Sequence, residues 1–190
     1  MSTLFYESLV MTPRCLPRPS VVHALRSPLM EIREALIGDW ASIYPIFRAV
    51  VDAGTTYAYP AGLSSEEARS LWMEPAPNRA VVALHDGVIV GTAKMGPNRP
   101  GRGSHVATAS FMVDPSQQGH GVGRALGFDM IDWARREGYK AIQFNAVVES
   151  NAAAVHLWQE LGFSILATIP DAFDHASDGL VGLHVMYLPL

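Results

Sequence analysis

The sequence predicts a mixed α/β fold with one central sheet, antiparallel where turns join neighbouring strands and parallel where a helix crosses over. Three observations carry this. Strand-like and helical segments follow one another in the order β, α, α, β, β, β, α, β, α, β, β. An Asp86-Gly87 turn joins two β-branched runs, a strong hairpin signal. A glycine-rich segment, Ser116 to Arg124, stands between a strand and a long amphipathic helix.

Each element has a local reason. Glu31-Ile32-Arg33-Glu34-Ala35 alternates and reads as the first strand. Asp39 is placed to cap a helix carrying Ile43, Ile46, Phe47 and Val50 on one face, with Pro45 early enough to be tolerated. Gly54 to Gly62 is a loop holding Tyr57, Tyr59 and Pro60. Ser64 or Ser65 opens a short helix to about Met73, and Glu66 and Glu67 favour its first turn. The hairpin strands are Arg79 to Leu84 and Val88 to Met95, and a Pro/Gly-rich loop spans Gly96 to Gly103. His105 to Val113 forms a strand that Asp114-Pro115 ends.

The next helix, Val122 to Arg136, puts Val122, Leu126, Met130, Trp133 and Ala134 on one side, and Gly138 stops it. Tyr139 to Val148 is a strand. Ser150 or Asn151 caps a helix ending at Gly162. Phe163 to Ile169 and Val181 to Leu188 are the last strands, with Pro170 to Gly179 read as a loop.

Composition bounds the function. The chain has 190 residues, 49% apolar and 17% charged, which suits one globular domain. A net charge of -4 argues against a nucleic-acid partner. Cys15 is the single cysteine, so no internal disulfide forms, and a cytoplasmic location is the default. No apolar run approaches the roughly 20 residues that span a bilayer, so no membrane partner is expected. Residues 1–29 hold four prolines and little periodicity; they read as a loosely ordered extension, or as sequence upstream of a natural start near Met30, rather than as a targeting peptide. Residues 30–190 form the predicted domain.

The glycine segment carries the chemistry. Gly119, Gly121 and Gly123 strip side chains where a helix begins, exposing backbone N–H groups at the positive end of its dipole. Phosphate oxygens are the usual guests of such a site. A Walker A loop needs a lysine that is absent here. A Rossmann fingerprint needs a third glycine where Leu126 stands, near the first strand rather than mid-chain.

A third pattern fits. Gln118-Gly119-His120-Gly121-Val122-Gly123 matches the Gln/Arg-x-x-Gly-x-Gly/Ala motif of the GNAT N-acetyltransferase superfamily. Asn151 to Phe163 resembles that family's later Asn-x-x-Ala-x-x-Leu-Tyr-x-x-x-Gly-Phe segment. The resemblance runs from Met30 to Leu190 in element order. It implies a mostly antiparallel central sheet with helices on both faces and a splayed parallel strand pair. It also implies acetyl-CoA as cosubstrate, no metal, and a small-molecule amine as partner, with transfer by direct attack in a ternary complex. A homodimer is in keeping with the family.

Residue by residue, the resemblance assigns the pyrophosphate cradle to Gln118, Gly119, Gly121, Val122, Gly123 and Arg124. Phe111, Met112 and Val113 would bind pantetheine through their backbone, and the amide of Met112 or Val113 would polarise the thioester carbonyl. Asn151 is either a pantetheine contact or a helix N-cap. Trp158 falls where the family often has an acidic tyrosine; an indole cannot protonate a thiolate, so Trp158 packs against cofactor or core. Glu149 is the candidate base, read otherwise as a solvated carboxylate. His105 and His120 are weaker candidates. On the acceptor side the nominees are Tyr57, Tyr59, Asn98, Arg99, Asn145 and Phe173. The stretch Gln143 to Asn151 resembles fungal acetyltransferases acting on proline analogues, and there Asn145 would hold an amino-acid carboxylate. Protein N-terminal or lysine acetylation, and an inactive CoA-binding sensor, are the alternative readings.

Overall fold

The computed structural model describes residues 30–190, so the expected N-terminal extension lies outside the described residues. One seven-stranded sheet has the order β1-β2-β3-β4-β5-β7-β6. Its strands are β1 (Glu31–Glu34), β2 (Arg79–His85), β3 (Val88–Pro97), β4 (Val106–Val113), β5 (Ala141–Val148), β6 (Ser164–His175) and β7 (Gly179–Pro189). Among the described residues only β4 and β5 pair in parallel. The helices are α1 (Trp40–Asp52), α2 (Ser65–Trp72), α3 (Val122–Arg136) and α4 (Ala152–Glu160).

The sheet divides two cores. On one face Leu126, Met130, Trp133 and Trp158 of α3 and α4 pack on Ala93, Ala107, Ile142 and Met186. On the other, Ile43, Phe47 and Trp72 of α1 and α2 pack on Val82, Leu84 and Met112. Alternation along each strand makes both possible, because odd and even side chains leave opposite faces. Each fully buried apolar side chain contributes roughly 1.5–3 kcal/mol.

Local signals held where they were strong. The Asp86-Gly87 turn has φ of 50° and 79°, the left-handed pair a two-residue hairpin requires. Ser64 caps α2 by accepting from the Glu67 amide, while the Glu67 carboxylate accepts from the Ser64 amide at 2.9 Å. Asp39 departs from expectation. Its carboxylate does not cap α1; it accepts from the Leu36 amide at 2.7 Å and from the Arg33 guanidinium at 2.6 and 2.9 Å. A 3-10 turn, Ile37–Asp39, has already put Asp39 in helical geometry.

The segment read as a loop, Pro170 to Gly179, is mostly strand. β6 runs to His175 and β7 starts at Gly179, so one long hairpin replaces two short strands. Pro170 and Asp171 lie in an irregularity between Ile169 and Phe173, and Asp171 has φ of 52°. A proline survives there because β6 is the sheet edge. The hairpin tip meets the turn that follows α1, with the Ala176 amide donating to the Gly54 carbonyl at 3.0 Å.

Candidate active site

The parallel pair opens almost as soon as it forms. β4 and β5 are in register only at Val106–Ala141 and Ala107–Ile142. A bulge in β5 between Phe144 and Val147 bends that strand along β7 and away from β4. The end of β4 nearest the glycine segment is thereby left without a β5 partner.

Backbone alternation decides which groups face this gap. The Asp114 amide donates to the Val90 carbonyl at 2.9 Å, and the Asn98 amide to the Val106 carbonyl at 2.8 Å. Even-numbered residues of β4 therefore bond toward β3, and odd ones bond away from it. Phe111 and Val113 present N–H and C=O groups to the gap. Met112 does not: its amide faces Thr92 of β3, and its side chain is buried against α1 and α2. The expectation that Met112 supplies an oxyanion donor is corrected by this phase.

The Phe111 groups meet a side chain. Its N–H donates to the Tyr57 hydroxyl at 2.8 Å, and that hydroxyl donates to the Phe111 carbonyl at 2.7 Å. Tyr57 comes from the loop between α1 and α2 and reaches the gap from that face. Its ring stacks on Tyr59 at 5.6 Å and meets Trp72 edge-on. Burial, with Tyr59 adding to it, pushes the Tyr57 phenol well above its ordinary value, so it stays protonated.

At the end of β4 the chain enters the cradle. Gly119 and Gly121 both have φ of 80°, and a Cβ on either would meet nothing within 4 Å. Conformation, not crowding, requires these two glycines. Gly123 differs: a Cβ there would lie 3.3 Å from Leu157, so it serves the close approach of α4. The first α3 hydrogen bond runs from the Ala125 amide to the Gly121 carbonyl. The amides of Val122, Gly123 and Arg124 precede it and are left for a guest. Gln118, Gly119, His120 and Gly121 are exposed around them. This donor set fits a pyrophosphate.

Other nominees take different places. The Arg124 guanidinium pairs with Glu160 of α4, which His156 also approaches at 3.4 Å. Asn151 is the α4 N-cap, its Oδ1 accepting from the Ala154 amide at 3.2 Å. Among the described residues its Nδ2 has no partner, so a pantetheine contact stays compatible with the cap. Trp158 is a core residue, 6% exposed, with ring centroids 4.7 Å from Phe111 and 4.9 Å from Phe144. It fixes Phe111 from behind. Glu149 is exposed, but its Oε2 folds over Gly182 beside Thr168; a Cβ on Gly182 would come within 2.0 Å of it. Gly182 is on β7, the strand on the far side of β5 from β4. His105 and His184 hydrogen-bond Arg102 and Thr168 locally.

On the α1–α2 face a polar chain crosses toward β5. The Asn145 Nδ2 donates to Asn98 Oδ1 at 2.7 Å, Gln143 Nε2 donates to Asn145 Oδ1 at 2.8 Å, and Arg99 donates to the Asn98 carbonyl at 2.8 Å. Gln143 was missed in the sequence, although its alternation with Asn145 along one strand was visible. Tyr59 stacks between Phe47 and Tyr57, and Phe173 is buried near the hairpin tip. A cavity of about 530 Å³ lies elsewhere, lined by Glu34, Glu74, Arg79 and Glu137.

A gap in a parallel pair beside a glycine cradle agrees with a match over residues 40–163 to the acetyltransferase (GNAT) family. The chain belongs to that family. A GCN5-related N-acetyltransferase from Kribbella flavida is 57% identical, with a TM-score of 0.82, over 85% of this chain and 98% of that one. A putative acetyltransferase from Salmonella typhimurium, solved with acetyl-CoA, is 30% identical with a TM-score of 0.71, over 85% and 94%. The L-amino acid N-acyltransferase MnaT of Escherichia coli is 33% identical over 74% of this chain and 83% of its own length. This GNAT protein thus shares its fold with a protein solved with acetyl-CoA.

Proposed function

We propose that this GNAT protein transfers the acetyl group of acetyl-CoA to the amine of a small amino-acid-like molecule. The open β4 edge ending in the glycine cradle is the observation that carries the reading. Acetyl-CoA supplies an activated acyl carbon. The amides of Val122, Gly123 and Arg124 hold the anionic end, and the odd-numbered groups of β4 hold the extended arm as a further strand would. The amide of Val113 then faces the carbonyl oxygen where charge develops, a contact typically worth a factor on the order of 100 in rate.

The acceptor enters from the α1–α2 face. Its neutral nitrogen attacks the acyl carbon, the carbon–nitrogen bond forms, the carbon–sulfur bond breaks, and the nitrogen's proton passes to solvent or to the departing thiolate. Because Glu149 faces the β6–β7 hairpin, positioning supplies more of the rate than a dedicated base. The aromatic wall of Tyr57 and Tyr59 and the amides of Asn98, Gln143 and Asn145 suit a small zwitterion. The likeness to MnaT, named for L-amino acids, supports that choice.

Thiol release from acetyl-CoA over a panel of amino acids, polyamines and peptides tests it. The expected result is turnover on amino acids or their analogues. Turnover confined to peptides would favour the protein-acetylating alternative, and CoA binding without turnover on any amine would favour a sensor.

A further inference from the structure

The gap is not bare: a side chain from the opposite face already imitates the missing strand. The Tyr57 hydroxyl both accepts from the Phe111 N–H and donates to the Phe111 carbonyl, as a neighbouring strand would with its two groups. The ring below it is held by Tyr59 and Trp72, so the hydroxyl has little freedom to leave. Phe111 is in turn fixed by Trp158 on the other face. One oxygen and one amide therefore meet at the point where β4 would present its donor to an acyl carbonyl.

We propose that Tyr57 is a catalytic hydrogen-bond donor: its O–H turns from the Phe111 carbonyl to the thioester oxygen, while its own oxygen keeps accepting from the Phe111 N–H, which strengthens the donor from behind. This rests on the acetyl-CoA reading above. In the step it assists, the amine nitrogen bonds to the acyl carbon and the carbonyl π pair moves onto oxygen, where the Tyr57 O–H meets it. The pair then returns, the carbon–sulfur bond breaks, and the electrons leave on sulfur. Tyr57 keeps its own proton throughout. It is a donor, not the general acid that Trp158 replaces.

The test compares Tyr57→Phe with the wild-type full chain. Phenylalanine preserves the stack on Tyr59 and Trp72 and removes only the hydroxyl. Calorimetry with CoA and with acetyl-CoA reads binding; single-turnover thiol release reads chemistry. The expected result is unchanged CoA affinity, a severalfold loss of the preference for acetyl-CoA over CoA, and a fall in the chemical step on the order of 100-fold. Tyr44→Phe removes a hydroxyl that bonds the Leu63 carbonyl in the same aromatic layer and should leave the preference intact. Tighter acetyl-CoA binding with undiminished turnover would make Tyr57 a mere stopper of the strand edge and overturn the proposal, as would no change in either readout. Wild-type protein that binds neither CoA nor acetyl-CoA would instead overturn the cofactor reading, and the donor role with it.

Discussion

The two faces of the sheet build their halves of the site by different means. On the α3–α4 face the cradle is backbone: amides at a helix start, two left-handed glycines, and a strand edge left open by a bulge. On the α1–α2 face it is side chain: Tyr57, Asn98, Asn145 and Gln143, brought in from separate segments and tied by hydrogen bonds. A backbone site tolerates many side chains but few conformations. A side-chain site tolerates backbone variation but few replacements. Under the proposed function, that difference suits a shared donor on one face and a particular acceptor on the other.

The largest expected effect breaks the backbone half. Gly121→Glu puts a carboxylate and an unfavourable φ of 80° at the helix start. Since a Cβ there meets nothing within 4 Å, the domain should stay folded while CoA affinity falls at least 100-fold, read by calorimetry beside a circular dichroism spectrum. Unchanged affinity would remove the cradle assignment. Next, Trp158→Ala empties the support behind Phe111 and should cost about 3–5 kcal/mol in urea unfolding. A loss under 1 kcal/mol would mean that Trp158 is not the core residue its burial indicates.

Smaller effects sharpen the contrast. Glu160→Gln releases the half-exposed Arg124 guanidinium. CoA should then bind severalfold tighter at low salt, with a stability change below about 1 kcal/mol. Weaker binding would show that the ion pair orders the cradle rather than competing with it. The smallest effect lies far from either half. The Arg33 hydrogen bond holds the Asp39 carboxyl below its usual range. Its stabilisation is therefore full above the unfolded value of about 3.9 and is lost as pH falls through the lower folded value. Asp39→Asn should lower the thermal midpoint at pH 7 and not at pH 2; an equal loss at both would exclude the ion pair as the cause.

Legibility in the sequence follows the same division. The cradle was readable because its spacing is local: Gln118 to Gly123 lie within one turn and one helix start. The α3 boundaries, Val122 and Arg136, were readable for the same reason. The phase of β4 was not. Side-chain alternation shows which residues share a face, but whether Met112 or Phe111 bonds into the gap depends on register with β3, which lies elsewhere in the chain. Pro170 and Asp171 look like loop residues, and only their place on an edge strand explains why β6 continues past them. The proximity of the Glu149 carboxylate to Gly182, on another strand, is likewise a tertiary fact.

By itself the sequence determined the element order, the glycine cradle and the family resemblance, because each rests on residues within a few positions of one another. Tertiary structure alone decided that β4 and β5 part after two registered pairs, that Phe111 rather than Met112 faces the gap, and that Tyr57 meets it there. Those are contacts across long stretches of chain. The free energy that fixes them comes from packing two cores against one sheet, and no local window of sequence contains both partners.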